Sequence, residues 1–322
     1  MSVAAGATSM AQVAQGPSPP LDHGSPTAAP AAKLARISIM AFNFASRLKL
    51  PNAPASPDRV LDVFDIPQYF ADTYGVHNVE LQASYFASTE TSYLTDCRAR
   101  IEKAGSRMTQ INLEFGAMNI SIPDAVQRNM GVDLTMRWVD HAVVLGCPRI
   151  MINQGQLVAD AKANAIAALR RMSDYAKTKD VKISVETRVV GPTYSMGPDG
   201  RPVATQAAMS AEGMPLASPG GPLAWELVKD VIEGSGSYSN VDVGNVMAPD
   251  LASLETVIRG LAASNSGNMH MKTSPSWDLG AVVRFINNDI GYQGSIRLRC
   301  PRRRFAASTR RSSQISERTA VQ

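Results

Sequence analysis

Three side chains in this sequence stand where metal chemistry could be done. Glu186, Asp242 and His270 each close a short run with strand character: Val181 to Val185 before the first, Ser239 to Val241 before the second, Asn268-Met269 before the third. Two carboxylates and an imidazole converging on one point form a donor set for a divalent cation such as Mn²⁺, Mg²⁺ or Zn²⁺. Each residue alone has a plainer reading, because an Asp or His at a strand end is often satisfied by structural hydrogen bonds. The argument rests on three of them at matching positions. Further polar residues near the ends of such runs widen the candidate site: Asn43, Glu80, Gln82, Glu114, Asn153, Gln154, Gln156, Arg188, Asn245 and Lys272.

Bringing those residues together requires elements that end on one side of the molecule. Short apolar runs alternate with longer amphipathic segments, the pattern of βα units around a parallel sheet. Strands are expected over residues 36–40, 79–81, 109–113, 149–153, 181–186, 239–243, 268–272 and 294–298. Helices are expected over 57–74 (Ser56 as N-cap), 91–104, 123–145, 158–178, 222–232, 249–262 and 277–288. Gly75, Gly105 and Gly146 each stand just past a helix, where a left-handed residue closes the last turn. Residues 189–222 show no period and read as one long loop, placed after a strand where a lid belongs. Eight strands with seven helices between them predict an α/β fold, the (β/α)₈ TIM barrel, with its last helix missing or replaced by a disordered tail. A doubly wound sheet is the less favoured alternative, because no Gly-rich phosphate loop follows the first strand.

The chain has 322 residues, of which 44% are hydrophobic and 19% charged, enough to bury a large core. No apolar run reaches the roughly 18 residues of a membrane span, so no membrane association is expected. Cys97, Cys147 and Cys300 are too few and too far apart for a disulfide framework. The net charge of +4 is concentrated at one end: residues 297–322 hold eight arginines and one acid, more than the whole excess. The body is therefore mildly acidic, and no nucleic-acid partner is expected. Residues 1–34 read as a signal-like leader followed by a Pro/Ala-rich linker, residues 35–299 as the barrel, and residues 300–322 as an Arg/Ser-rich, disordered tail. Ser9-Met10-Ala11 has the small-x-small form of a signal-peptidase site without the basic segment that should precede it. An export signal would imply a periplasmic protein, and a plain disordered leader a cytoplasmic one.

Five segments carry a family resemblance. They are Tyr74-Gly75-Val76-His77-Asn78-Val79-Glu80-Leu81, Ile183-Ser184-Val185-Glu186, Val241-Asp242-Val243-Gly244-Asn245, Met269-His270-Met271-Lys272 and Gly291-Tyr292-Gln293-Gly294. In order and spacing the chain resembles the xylose isomerase-like TIM barrels over roughly residues 36 to 298, in particular the sugar phosphate isomerase/epimerase branch with its tagatose-type ketose 3-epimerases. The resemblance implies a metal-dependent sugar isomerase or epimerase working by proton abstraction next to a carbonyl. It implies that Glu186 is both metal ligand and acid/base catalyst, with Asp242 and His270 as further ligands. Asn245 and Lys272 fall where substrate contacts occur, and Glu80 near the sugar hydroxyls. The partner is then a small sugar or sugar derivative, and a homo-oligomer is left open.

The chain departs from the family pattern at its eighth strand. Where the family has a glutamate, as fourth ligand and second acid/base carboxylate, this chain has Arg299 in Gly294-Ser295-Ile296-Arg297-Leu298-Arg299. A guanidinium neither ligates a cation nor accepts a proton at neutral pH. An out-of-frame translation of the gene's 3′ end is the favoured explanation for Arg299 and the tail, and a genuine solvated tail the other. Three rival functions follow: a non-catalytic or inactivated sugar-binding barrel, an endonuclease IV-like phosphodiesterase, or an inosose dehydratase-like enzyme. The nuclease would need more His and carboxylate ligands than four histidines, two of them misplaced, can supply.

Overall fold

The computed structural model describes residues 31–51, 53–114, 119–153, 157, 161–187, 193–196, 202–205, 224–246 and 248–298. After a single helical turn, α1 (Ala31–Leu34), comes β1 (Ile37–Met40), followed by α2 (Ile66–Tyr74) and β2 (Asn78–Gln82). Then come α3 (Thr91–Lys103), β3 (Arg107–Leu113), α4 (Ala125–Leu145), β4 (Arg149–Ile152), α5 (Lys162–Lys177) and β5 (Lys182–Glu186). Two short strands, β6 (Thr193–Met196) and β7 (Pro202–Thr205), precede α6 (Ala224–Ser235) and β8 (Tyr238–Asp242). The chain continues through α7 (Leu251–Ala262), β9 (Asn265–Met271), α8 (Leu279–Asn288) and β10 (Ser295–Leu298).

Eight of these strands close into a parallel barrel in the order β1-β10-β9-β8-β5-β4-β3-β2. The expected TIM architecture is therefore the observed one. The seam between the last and first strands pairs Ile37 with Ile296 and Ile39 with Leu298. Arg36 reinforces it, donating to the carbonyls of Tyr292 (2.7 Å) and Gly294 (3.2 Å) and to Asn287 (3.0 Å). Among the described residues no helix follows β10.

Helix ends follow the local chemistry. Gly75 and Gly146 close α2 and α4 in the left-handed conformation, at φ 63° and 67°. Asp124, Asp250 and Asp278 cap α4, α7 and α8 by accepting from backbone amides of the first turn. Each barrel strand buries one set of side chains against the helices, so the main core lies between barrel wall and helical ring. Val79, Leu81, Ile111, Ile150, Val241 and Met269 are among its fully buried members.

Two expectations need correction. The first helix does not begin at Pro57: after a short 3₁₀ turn (Val63–Asp65), α2 starts at Ile66 with Pro67 in its first turn. Residues 57–62 form a turn followed by an irregular stretch instead, held by a bridge between Leu48 and Leu61 and by Arg59, which donates to the carbonyls of Ala45, Leu48 and Pro54. The long segment 189–222 is not structureless throughout. Thr193 to Met196 pairs antiparallel with Pro202 to Thr205, a ladder apart from the barrel. The remainder of that segment lies outside the described residues, as do 1–30 and the Arg/Ser-rich tail.

Candidate metal centre

The barrel brings the three leading candidates together. Glu186 is the last residue of β5, Asp242 the last of β8, and His270 the penultimate residue of β9. Asp242 and His270 are register partners on adjacent strands. One carboxylate oxygen from each acid and one ring nitrogen of His270 lie within 4.8 Å of one another, and all three residues are buried. The nitrogen facing the carboxylates is Nδ1, 3.7 Å from Glu186 Oε1 and 3.6 Å from Asp242 Oδ2. Both separations are too long for hydrogen bonds, and Nδ1 has no hydrogen-bond partner. A buried ring nitrogen without such a partner, aimed at two carboxylate oxygens, suits a divalent cation as the shared partner.

What orients His270 is Glu80. Its Oε1 lies 2.9 Å from His270 Nε2, and the same oxygen accepts from Asn112 Nδ2 at 2.7 Å. Its Oε2 accepts from Asn268 Nδ2 at 3.1 Å. The family resemblance implies a Glu80 near the sugar hydroxyls, but the fold puts it beneath the imidazole, 0% exposed, with both oxygens engaged by protein groups. A carboxylate behind a ligating histidine fixes the ring's orientation and leaves the other nitrogen to face the ion.

Asn245 and Lys272 are drawn into the same cluster. In the turn after β8, Asp242 Oδ1 accepts from the amides of Gly244 (3.0 Å) and Asn245 (3.2 Å). Lys272 Nζ reaches across to Asp242 Oδ2 at 2.6 Å and Asn245 Oδ1 at 2.7 Å. Of the other candidates, Gln82 donates to Glu114 at 3.0 Å and Asn153, the residue just after β4, has a buried amide oxygen. Gln154, Gln156, Arg188 and Arg299 lie outside the described residues. His77 precedes β2 at the opposite end of the barrel and His141 sits on α4, so neither joins the cluster. Burial pushes the Cys97 and Cys147 thiols up to about 12, so neither is a thiolate nucleophile at neutral pH.

Sequence reasoning passed over Arg297. This side chain is 3% exposed, and its residue is the register partner of His270 on β10. Its guanidinium contacts Met40 Sδ and lies 4.0 Å from Glu80 Oε1. Also passed over were Gln110, Asn112, Asn240 and Asn268, all buried on the inner face. The signal was available, since successive inward residues on a strand are two apart. Asn240 and Asn268 precede Asp242 and His270 by that step, and Arg297 precedes Arg299 by it.

Charges in this core are matched internally. Burial opposes an ionised Glu80, but His270, Arg297 and Asn112 outweigh it and lower the carboxyl to about 2. For Asp242, burial is likewise outweighed, by His270 and the Lys272 ammonium, and the carboxyl is held well below its ordinary range. Burial and then Arg297 work against a charged His270, while Glu80, Asp242 and Glu186 favour it, and the balance raises the imidazole to about 10. Without an added ion, the three carboxylates are thus faced by His270, Lys272 and Arg297.

The model of the family described as xylose isomerase-like TIM barrel matches residues 69–198. The fold is that of the xylose isomerase-like barrels. The 3-keto-D-glucoside 4-epimerase from E. coli superposes with a TM-score of 0.58 at 12% identity, over 88% of this chain and 99% of that one. A xylose isomerase domain protein from Planctomyces limnophilus gives 0.56 at 15% identity, over 88% and 97%. D-psicose 3-epimerase from Clostridium cellulolyticum H10, solved with D-tagatose, gives 0.57 at 12% identity, over 82% and 84%. At these identities the likeness concerns fold. No curated protein matches the chain significantly in sequence. The family expectation read from the five segments is borne out by the match to this xylose isomerase-like barrel family and by the fold of its sugar-epimerase neighbours.

Proposed function

We propose that this chain is a metal-dependent sugar isomerase or epimerase that removes a proton from the carbon next to a carbonyl. The observation that carries the reading is the convergence of Glu186, Asp242 and His270 at the carboxyl end of a closed barrel, the end at which such barrels hold their active sites. These three residues would hold Mn²⁺, Mg²⁺ or Zn²⁺. A divalent ion there supplies a Lewis acid, which stabilises the negative charge of an enediolate.

The chain's own residues supply the rest. Glu186, at the end of β5, has a carboxylate to take the proton. Asp242 is fixed by the two amides of its turn and His270 by Glu80, so neither has to reorganise during the reaction. Asn245 and Lys272, both only partly buried, stand at the rim and would contact hydroxyl groups of a small sugar. Glu80 acts through His270 and is a positioning residue.

Arg297 favours a second reading, a sugar-binding barrel without catalysis. A buried guanidinium beside Glu80 on the eighth strand adds positive charge where the family expects a carboxylate two residues further on. The discriminating experiment is solvent-proton exchange: incubate the Mn²⁺-treated protein with ketohexoses in D₂O and follow deuterium uptake by NMR. The enzyme reading expects exchange next to the carbonyl that Glu186→Gln reduces by on the order of 10³-fold or more. Exchange unchanged in that variant removes Glu186 as the base, and no exchange by the native chain leaves the binding reading.

A further inference from the structure

Lys272 is seated with more care than a rim residue needs. Its ammonium lies 2.6 Å from Asp242 Oδ2, the oxygen that lies 3.6 Å from His270 Nδ1 on a residue of the candidate metal triad. The opposite side of the ammonium is held by Asn245 Oδ1 at 2.7 Å. The lysine stem crosses the turn directly over Gly244. A Cβ placed there would stand 2.6 Å from Lys272 Cδ and 2.8 Å from its Cβ, so the seat exists only because residue 244 has no side chain. Asp242 cannot turn another oxygen to the ion at no cost, because Oδ1 is committed to the amides of Gly244 and Asn245.

From this we infer that Lys272 sets the affinity of the metal centre by competing with the ion for Asp242. One carboxylate oxygen faces two cationic claimants, the ammonium already in contact and the divalent ion that Glu186 and His270 would share. Two positive charges at such a separation in a buried site repel strongly. Binding the ion therefore means moving the ammonium off Asp242 or tolerating it alongside, and either weakens the ion's hold. A seat that tight makes the centre a weak one, filled at high metal concentration and emptied readily. The inference rests on the metal reading above and assigns Lys272 a role in affinity in addition to substrate contact.

The test is titration of the full-length protein with Co²⁺ at fixed pH, followed by visible absorption and by calorimetry, for the native chain, Lys272→Met and Lys272→Gln. The expected result is that both variants bind Co²⁺ on the order of tenfold more tightly. Co²⁺ should also raise the Tm of the variants by more than it raises that of the native chain, because they have lost their internal counterion for Asp242. Gly244→Ala, which keeps the lysine but crowds it out of its seat, should shift affinity in the same direction by less. Circular dichroism of the apo-proteins identifies any variant that fails to fold, and the others still decide the matter. Equal or weaker Co²⁺ binding by folded Lys272 variants overturns the inference and leaves the metal reading intact. An absence of Co²⁺ binding by every protein, native chain included, overturns both.

Discussion

The two faces of the barrel strands obey different physics. On β2, Val79 and Leu81 point to the helical ring, while Glu80 between them points inward and meets Asn112, Asn268 and His270. On β9, Met269 and Met271 join the outer core, while Asn268 and His270 line the inside. The outer face is held by apolar burial, which is non-directional and tolerant of substitution. The inner face is held by matched charges and hydrogen bonds, where losing one partner strands the other in a low dielectric. Stability and chemistry are thus separated by one residue of register.

Substitutions on one strand sharpen that contrast most. Glu80→Ala should cost about 3–5 kcal/mol, because it takes the nearest carboxylate away from the buried His270 and Arg297 charges. Its neighbour Leu81→Ala should cost about 2.5 kcal/mol, the ordinary price of a core cavity, and leave Co²⁺ affinity unchanged. Urea unfolding of both variants measures the difference. If Glu80→Ala costs no more than Leu81→Ala, the inner face is not held by charge.

Of the two faces of the strands, acid acts on the inner one, with an effect between those two. The folded-state carboxyl of Glu80 is lowered to about 2 from 4.5, so its contribution is complete above pH 4.5 and is lost as pH falls through about 2. That contribution is about 3 kcal/mol. A plot of unfolding free energy against pH for the native chain and Glu80→Gln should converge toward pH 2. Parallel curves would remove Glu80 as the source.

Much of this arrangement is legible in the sequence. Apolar runs ending in Glu186, Asp242 and His270 marked both the strands and the side they end on. Glycines at 75, 105 and 146 marked helix ends because all three adopt positive φ. The start of α2 was misread because the pinning of residues 57–62 by Arg59 and by the Leu48–Leu61 bridge is tertiary and leaves no local signal. The resemblance gives Glu80 to the substrate, and nothing in the sequence corrects it, because a carboxylate on a strand looks the same whether it faces the mouth or lies beneath a histidine. Arg297 was overlooked because the family pattern points to residue 299, two positions further on. The seat of Lys272 depends on a glycine 28 positions earlier, which the pairing of β8 with β9 brings beside it.

The account turns on whether Glu186, Asp242 and His270 hold a divalent ion. Equilibrium dialysis against Mn²⁺ followed by elemental analysis asks this directly, comparing the native chain with His270→Ala. The account predicts one Mn²⁺ per native chain at saturation and a loss of that ion in the variant. A native chain that retains no Mn²⁺, or a variant that retains as much as the native chain, would contradict it.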